Sequence, residues 1–132
     1  MSQIQWLSKS AIMAIHGELM AEHGGLSGTV NDDSLESTVA RPQQLLHYGN
    51  PEPSLFDLAA SYGHGFAKNH CFSDGNKRIS LASMDVFLQL NGYELTASEV
   101  EAVDTIQRLA ASEMSEDVLS SWIEKNSEIY TA

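Results

Sequence analysis

The run His70-Cys71-Phe72-Ser73-Asp74-Gly75-Asn76-Lys77-Arg78 places an imidazole, a carboxylate, a glycine, a carboxamide and two cations in one short stretch. Those groups suit the movement of a phosphoryl or nucleotidyl group. The pattern predicts that Gly75-Asn76 opens a helix, and the first amides of a helix have no intrahelical partner and sit at its positive end, where anions bind. Gly75 permits positive φ and a close approach of backbone to phosphate oxygens. Asn76 adds an amide donor, Lys77 a point charge and Arg78 a planar fork able to grip phosphate twice. Asp74 is the carboxylate of the loop, and one carboxylate with substrate phosphates and waters is a common way to hold Mg²⁺. His70, with an ordinary pKa of about 6.5, can take a proton from an acceptor hydroxyl near neutral pH. Phe72 is expected to bury its ring and anchor the loop. Lys68, just upstream, is read two ways: a nucleotide contact, or a cation at a helix C-terminus.

The rest of the chain must position this loop. Its length of 132 residues suits a single domain, 1–132, able to bury a core without disulfides. No apolar run approaches the roughly 18 to 20 residues needed to span a bilayer. The start, Met1 to Trp6, lacks a basic segment followed by an apolar one, so no secretory signal is expected and a cytoplasmic location is the default. Cys71 is the single cysteine, which excludes an intrachain disulfide. With 18 acidic against 7 basic side chains the net charge is −11, which disfavours bulk nucleic-acid binding. Lys68, Lys77 and Arg78 concentrate the scarce positive charge near the loop.

Apolar spacing predicts an all-α bundle of about six helices. The first follows Ser8 and Ser10, carries Ile12, Ile15, Leu19 and Met20, and stops at Gly24-Gly25. A Gly-rich connector, Gly24 to Thr29, leads to Asn31-Asp32-Asp33, which caps a short helix bearing Leu35 and Val39; Pro42 is expected to end it. Gln44 to Pro53, with Tyr48-Gly49-Asn50 and two prolines, reads as an exposed, extended flap. Ser54 starts a helix with Leu55, Leu58, Ala59, Tyr62 and Phe66 on one side, in which Gly63 and Gly65 each cost about 1 kcal/mol relative to alanine unless they allow close packing. The helix from Gly75-Asn76 to Asn91-Gly92 is apolar on more than one face and is expected to be central. Ser98 with Glu101 predicts a capping box, and Ser115 caps a last helix with Val118, Leu119, Trp122 and Ile123. Glu113, Glu116 and Asp117 are expected in solvent. No strand-length alternation is evident.

Other readings of the motif are a polar capping loop without chemistry and a Cys71 thiol nucleophile beside His70. His16 and His23 lie about two turns apart, too far to share a metal without bending, and are expected in structural or surface roles.

His70-x-Phe72-x-Asp74-Gly75-Asn76-Lys77-Arg78 resembles the signature loop of the Fic/Doc family, and its lysine looks like the Doc (death-on-curing) subgroup. His23-Gly24-Gly25, Leu35-Glu36-Ser37, Ala40-Arg41-Pro42-Gln43, Ala67-Lys68-Asn69 and Phe87-Leu88 with Asn91-Gly92-Tyr93 are similar in order and spacing. The resemblance implies a Fic/Doc-type bundle with the loop between two central helices. It implies His70, Lys77 and Arg78 in catalysis, Lys68, Asp74, Gly75, Asn76, Lys77 and Arg78 around Mg-ATP, and Asp74 on the metal. Fic proteins proper carry Gly where Lys77 stands and a second Arg where Leu81 stands, and in adenylylating members that arginine helps orient the nucleotide. Doc-type toxins instead pass the γ-phosphate of ATP to a threonine of elongation factor Tu and arrest translation. The expectation is therefore a phosphotransferase toxin of a type II toxin–antitoxin system. The alternatives are AMP transfer and an inactive antitoxin-binding domain. Other family members carry an internal inhibitory helix; the nearest approach here, Ser112 to Asp117, ends in Asp, so a separate antitoxin is expected to inhibit. The flap lies where a target-docking hairpin would be and is expected to clamp a substrate by strand addition.

Overall fold

The computed structural model describes residues 3–24 and 28–130. Among them the chain forms α1 (Lys9–His23), α2 (Asp32–Tyr48), α3 (Leu55–Lys68), α4 (Asn76–Leu90), β1 (Tyr93–Leu95), α5 (Glu99–Ala110), α6 (Glu116–Lys125) and β2 (Ser127–Ile129). The expected all-α bundle of six helices is what the chain builds. The two short strands were not foreseen: they pair antiparallel, Tyr93 opposite Ile129 and Leu95 opposite Ser127, and three residues are too few to show alternation.

Short polar side chains set most of the helix starts by accepting a first-turn amide. Ser8 accepts from Ala11, Asn31 from Ser34, Ser54 from Asp57, Ser98 from Glu101 and Ser115 from Val118. At Ser54 the bond is reciprocated by the Asp57 carboxylate, which accepts from the Ser54 amide at 2.8 Å. α1 ends at Gly24, whose φ of 72° is the left-handed cap conformation. Gly25, expected to share in that stop, and residues 25–27 of the expected connector lie outside the described residues.

Pro42 does not end α2. The helix runs six residues further, to Tyr48, and Pro42 lies buried inside it with Leu35 and Thr38. A proline in a helix interior removes one backbone bond and costs about 3 kcal/mol, so tertiary contacts must carry the helix through. Leu35 is fully enclosed, Thr38 accepts from the Asn69 carboxamide at 2.9 Å, and Arg41 donates to Ser61 Oγ at 2.9 Å. The predicted flap shrinks accordingly: 44–48 are helical, and Gly49–Pro53 form a bent turn with a cis Asn50–Pro51 peptide. The flap therefore presents helix and turn where strand addition needs an extended edge.

α3 is the hub, packing against α2, α4, α5 and α6. Leu58, Ala59, Ala60, Tyr62 and Phe66 are fully enclosed. Its glycines allow close approach: a Cβ on Gly65 would lie 2.6 Å from Thr38 Cγ2, and one on Gly63 would run into the Met84 thioether. Ser80 of α4 reaches the Gly63 carbonyl at 2.6 Å across the same contact. α4, expected to be the central helix, packs on α3 with Ile79, Met84, Phe87 and Leu88 but leaves Leu90 half exposed. Val118 likewise faces solvent, while Leu119 and Ile123 are buried. Side chains from Leu7 to Ile123 share one contiguous core. No helix among the described residues is long and apolar enough to cross a membrane.

Candidate active site

α4 begins differently from the other helices. Its N-cap is Gly75, at φ 81°, with no side chain to accept a first-turn amide. The first ladder bond runs from the Ile79 amide to the Gly75 carbonyl at 3.0 Å, so the amides of Asn76, Lys77 and Arg78 stand ahead of the ladder. Lys77 and Arg78 are exposed, and among the described residues neither forms an ion pair. A cavity of about 400 Å³ opens at this mouth, and His70, Asp74, Gly75, Asn76, Lys77 and Arg78 all line it, with Ala67 and Ala110 on its flank. That volume is in the range of small-molecule sites, roughly 300 to 1,000 Å³.

A somewhat larger cavity, about 460 Å³, lies between the 49–53 turn and α6. Its lining holds Glu52, Asp57, Glu116 and Asp117 against Arg41, and Arg41 is already paired with Glu116 at 2.8 Å. An anion gains nothing there. Glu116, expected in solvent, is instead the carboxylate that ties α6 to α2, with His64 Nδ1 3.7 Å away.

The loop is held from behind. Val30 and Phe72 form an antiparallel bridge, with the Asn31 amide on the Cys71 carbonyl at 2.9 Å and the Ser73 amide on the Thr29 carbonyl at 3.1 Å. Phe72 is buried, as expected, and its ring stacks on His16 at 3.7 Å between centroids and 7° between planes. The carboxamide of Asn76, expected to face the anion, closes the loop instead: Oδ1 accepts from the Phe72 amide at 3.1 Å and Nδ2 donates to the Phe72 carbonyl at 2.8 Å. What Asn76 presents to the cavity mouth is its backbone amide. Asp74 Oδ1 accepts from the Gly75 amide at 2.8 Å, and the exposed carboxylate retains lone pairs for a further partner.

His70 adopts φ 50°, a conformation uncommon outside glycine and tolerated best by Asn, Asp and His. Strain of this kind gathers at functional sites. The preceding Asn69 is fixed by its bond to Thr38. Cys71 is fully buried, and that burial pushes its thiol pKa up against the opposing hydrogen bond to Thr38. A protonated, enclosed thiol is no nucleophile. Lys68 donates to the Ala110 carbonyl at 3.3 Å and to the Ser112 hydroxyl. Its ammonium therefore caps the C-terminus of α5, not that of its own helix, at the edge of the cavity that Ala110 lines. Of the Ser112–Asp117 segment, residues 112–115 form the turn joining α5 to α6, and Glu116 and Asp117 already belong to α6, so it is not a separate helix.

A helical bundle with a cationic loop opening between its two most intimately packed helices defines a recognisable class. Residues 6–88 match the Fic/DOC family, and the chain belongs to it. The match ends inside α4, so α5 and α6 lie beyond it. Toxin Doc of Mycolicibacterium smegmatis is 38% identical over 85 residues, which are 64% of this chain and 59% of that protein. Protein kinase doc of Escherichia phage P1 is 31% identical over 109 residues, 83% of this chain and 85% of that one. The chain thus spans less than two thirds of the mycobacterial relative it matches and most of the phage one.

Proposed function

We propose that this chain is the toxin of a toxin–antitoxin pair and transfers the γ-phosphate of Mg-ATP to a hydroxyl of a translation factor such as elongation factor Tu. The observation that carries the reading is the convergence of His70, Asp74, Lys77 and Arg78 on one cavity at an uncapped helix mouth. The names of the two relatives, one a toxin and one a protein kinase, support it. A cognate antitoxin follows from the toxin reading.

The residues fit a magnesium nucleotide. Asp74 offers a single exposed carboxylate, enough for Mg²⁺ when substrate phosphates and waters complete the shell, and the bound ion would neutralise phosphate charge. Lys77 and Arg78 supply positive charge in a chain of net charge −11, and the leading amides of α4 add oriented donors. Because phosphoryl transfer needs little covalent help, positioning and electrostatic stabilisation of this kind supply most of the catalysis. His70, held at the cavity edge, takes the proton of the acceptor hydroxyl as the oxygen attacks.

AMP transfer is the other chemistry of this family. Its adenylylating members place an arginine one turn after the position of Lys77, and here Leu81 stands there, half buried against the core. That observation favours phosphate over AMP. Incubation of the purified chain with elongation factor Tu and ATP labelled at either the γ- or the α-phosphorus decides between them. Retention of the γ label on protein is expected; retention of the α label overturns the choice. If growth inhibition persists in a His70→Asn variant while no label transfers from either position, the domain acts by binding alone.

A further inference from the structure

We propose that His16, on α1, is a positioning residue for the transfer site. It holds the Asp74–Gly75 peptide so that the Asp74 carboxylate and the first amides of α4 keep their directions. The inference rests on the phosphate-transfer reading, because it concerns the same loop.

His16 is 4% exposed, and a polar ring is enclosed at little cost only when hydrogen-bonded. Its Nε2 lies 2.8 Å from the Asp74 backbone oxygen. A carbonyl oxygen only accepts, so the proton sits on Nε2 and the imidazole donates. Its face is fixed as well, by the stack on the buried Phe72 ring. One ring thus grips the loop at two points, by an edge and by a face.

The gripped peptide is the one that matters for the mouth. Its carbonyl end is held by His16, and its amide end, the Gly75 N–H, is held by the Asp74 carboxylate at 2.8 Å. Rotating that peptide plane breaks both bonds together, so the imidazole and the carboxylate direction are coupled. Beneath Gly75 the packing leaves no slack: a Cβ there would lie 2.6 Å from Met20 Sδ and 3.1 Å from His16 Nε2. His16 does not line the cavity, so it acts through Asp74 and Gly75 and not on the nucleotide.

The test uses the full-length chain and two variants. His16→Phe keeps a ring to stack on Phe72 and removes the donor; His16→Gln removes the ring and keeps a donor of similar reach. In His16→Phe, kcat for phosphate transfer is expected to fall about 10- to 100-fold with a much smaller change in KM for ATP, as for residues that orient a metal ligand. His16→Gln should recover most of that loss even if its thermal midpoint is the lower of the two. Equal kcat per folded molecule in wild type and His16→Phe would overturn the idea, as would losses in both variants that track stability alone. Nitrogen NMR of the wild-type ring should report the Nε2–H tautomer, and the Nδ1–H tautomer would also overturn it. Should the wild type transfer no phosphate, the functional reading fails by itself. The inference is then decided by Mg²⁺-dependent binding of a non-hydrolysable ATP analogue, whose magnesium half-saturation should rise about tenfold in His16→Phe and, if unchanged, refutes it.

Discussion

Helices α3 and α4 pack against each other at glycine-close range, yet their N-termini are built for opposite ends. At α3, Ser54 and Asp57 exchange bonds in a full capping box, and the Asp57 carboxylate also accepts from Ser120 Oγ of α6 at 2.6 Å. The amides and the acid satisfy one another, and the helix end is closed. At α4 the cap is a glycine with no side chain, the acid of the preceding residue leaves lone pairs over, and two unpaired cations face solvent among the described residues. A glycine cap holds a helix end slightly less firmly than a serine or aspartate cap, and the loop ahead of α4 is braced instead from behind by Val30, Asn76 and His16. The pair teaches where a fold keeps its interaction capacity: the braced, uncapped mouth is available to a ligand, and the capped mouth is structural.

The comparison breaks most visibly if the open mouth proves inert. His70→Asn removes the proposed base with a residue that tolerates φ 50°, and phosphate transfer should drop by about 10²- to 10⁴-fold. The thermal midpoint should barely move, since exposed substitutions are usually within about 0.5 kcal/mol. Undiminished transfer at equal protein concentration would remove His70 from the chemistry.

Gly75→Ala probes the brace. A methyl group at φ 81° is strained and meets Met20 Sδ at 2.6 Å, so the substitution should destabilise by about 2–3 kcal/mol in urea unfolding. It should also weaken binding of an ATP analogue, because the loop must shift. A stable variant with unchanged affinity would mean that the mouth does not depend on the left-handed glycine.

Much of this was legible in the sequence, and what was not has a common cause. Ser8, Ser54, Ser98 and Ser115 announce helix starts because a cap is local chemistry, and the loop residues announce a phosphate site because they are contiguous. The burial of Phe72 followed from its place among polar neighbours. Pro42 misled because its helix-breaking tendency is local, whereas the contacts of Thr38 and Arg41 that override it come from Asn69 just past α3, from Ser61 within α3 and from Glu116 of α6. The flap reading failed with it, since 44–48 follow Pro42 into the helix. Asn76 carries the residue type of an anion donor, and only the fold shows its carboxamide turned back on Phe72. His16 is 58 positions from Asp74, and no spacing rule reaches that far; its place on a face with Ile12 and Met20, both buried, was the one available signal that the ring points inward. Glu116 shows the same limit, as its partner Arg41 lies on another helix.

The smallest expected effect sharpens the comparison from the closed side. Burial pushes the Asp57 pKa up, but bonds from Ser120 and from the Ser54 amide and hydroxyl outweigh it and hold the carboxyl below its ordinary value. Stability from a carboxylate depressed in the folded state is present above its unfolded pKa, about 3.9, and is lost as pH falls through the folded value. Asp57→Ala should therefore cost about 1–2 kcal/mol near neutral pH, and the gap to wild type should narrow below about pH 4. Urea titrations at the two pH values measure it. Because the capped end of α3 lies outside the transfer cavity, kcat per folded molecule should not change. A fall in kcat without a loss of stability would show that the two helix ends are not divided between structure and chemistry, and a pH-independent gap would show that the ionised carboxylate contributes nothing to the cap.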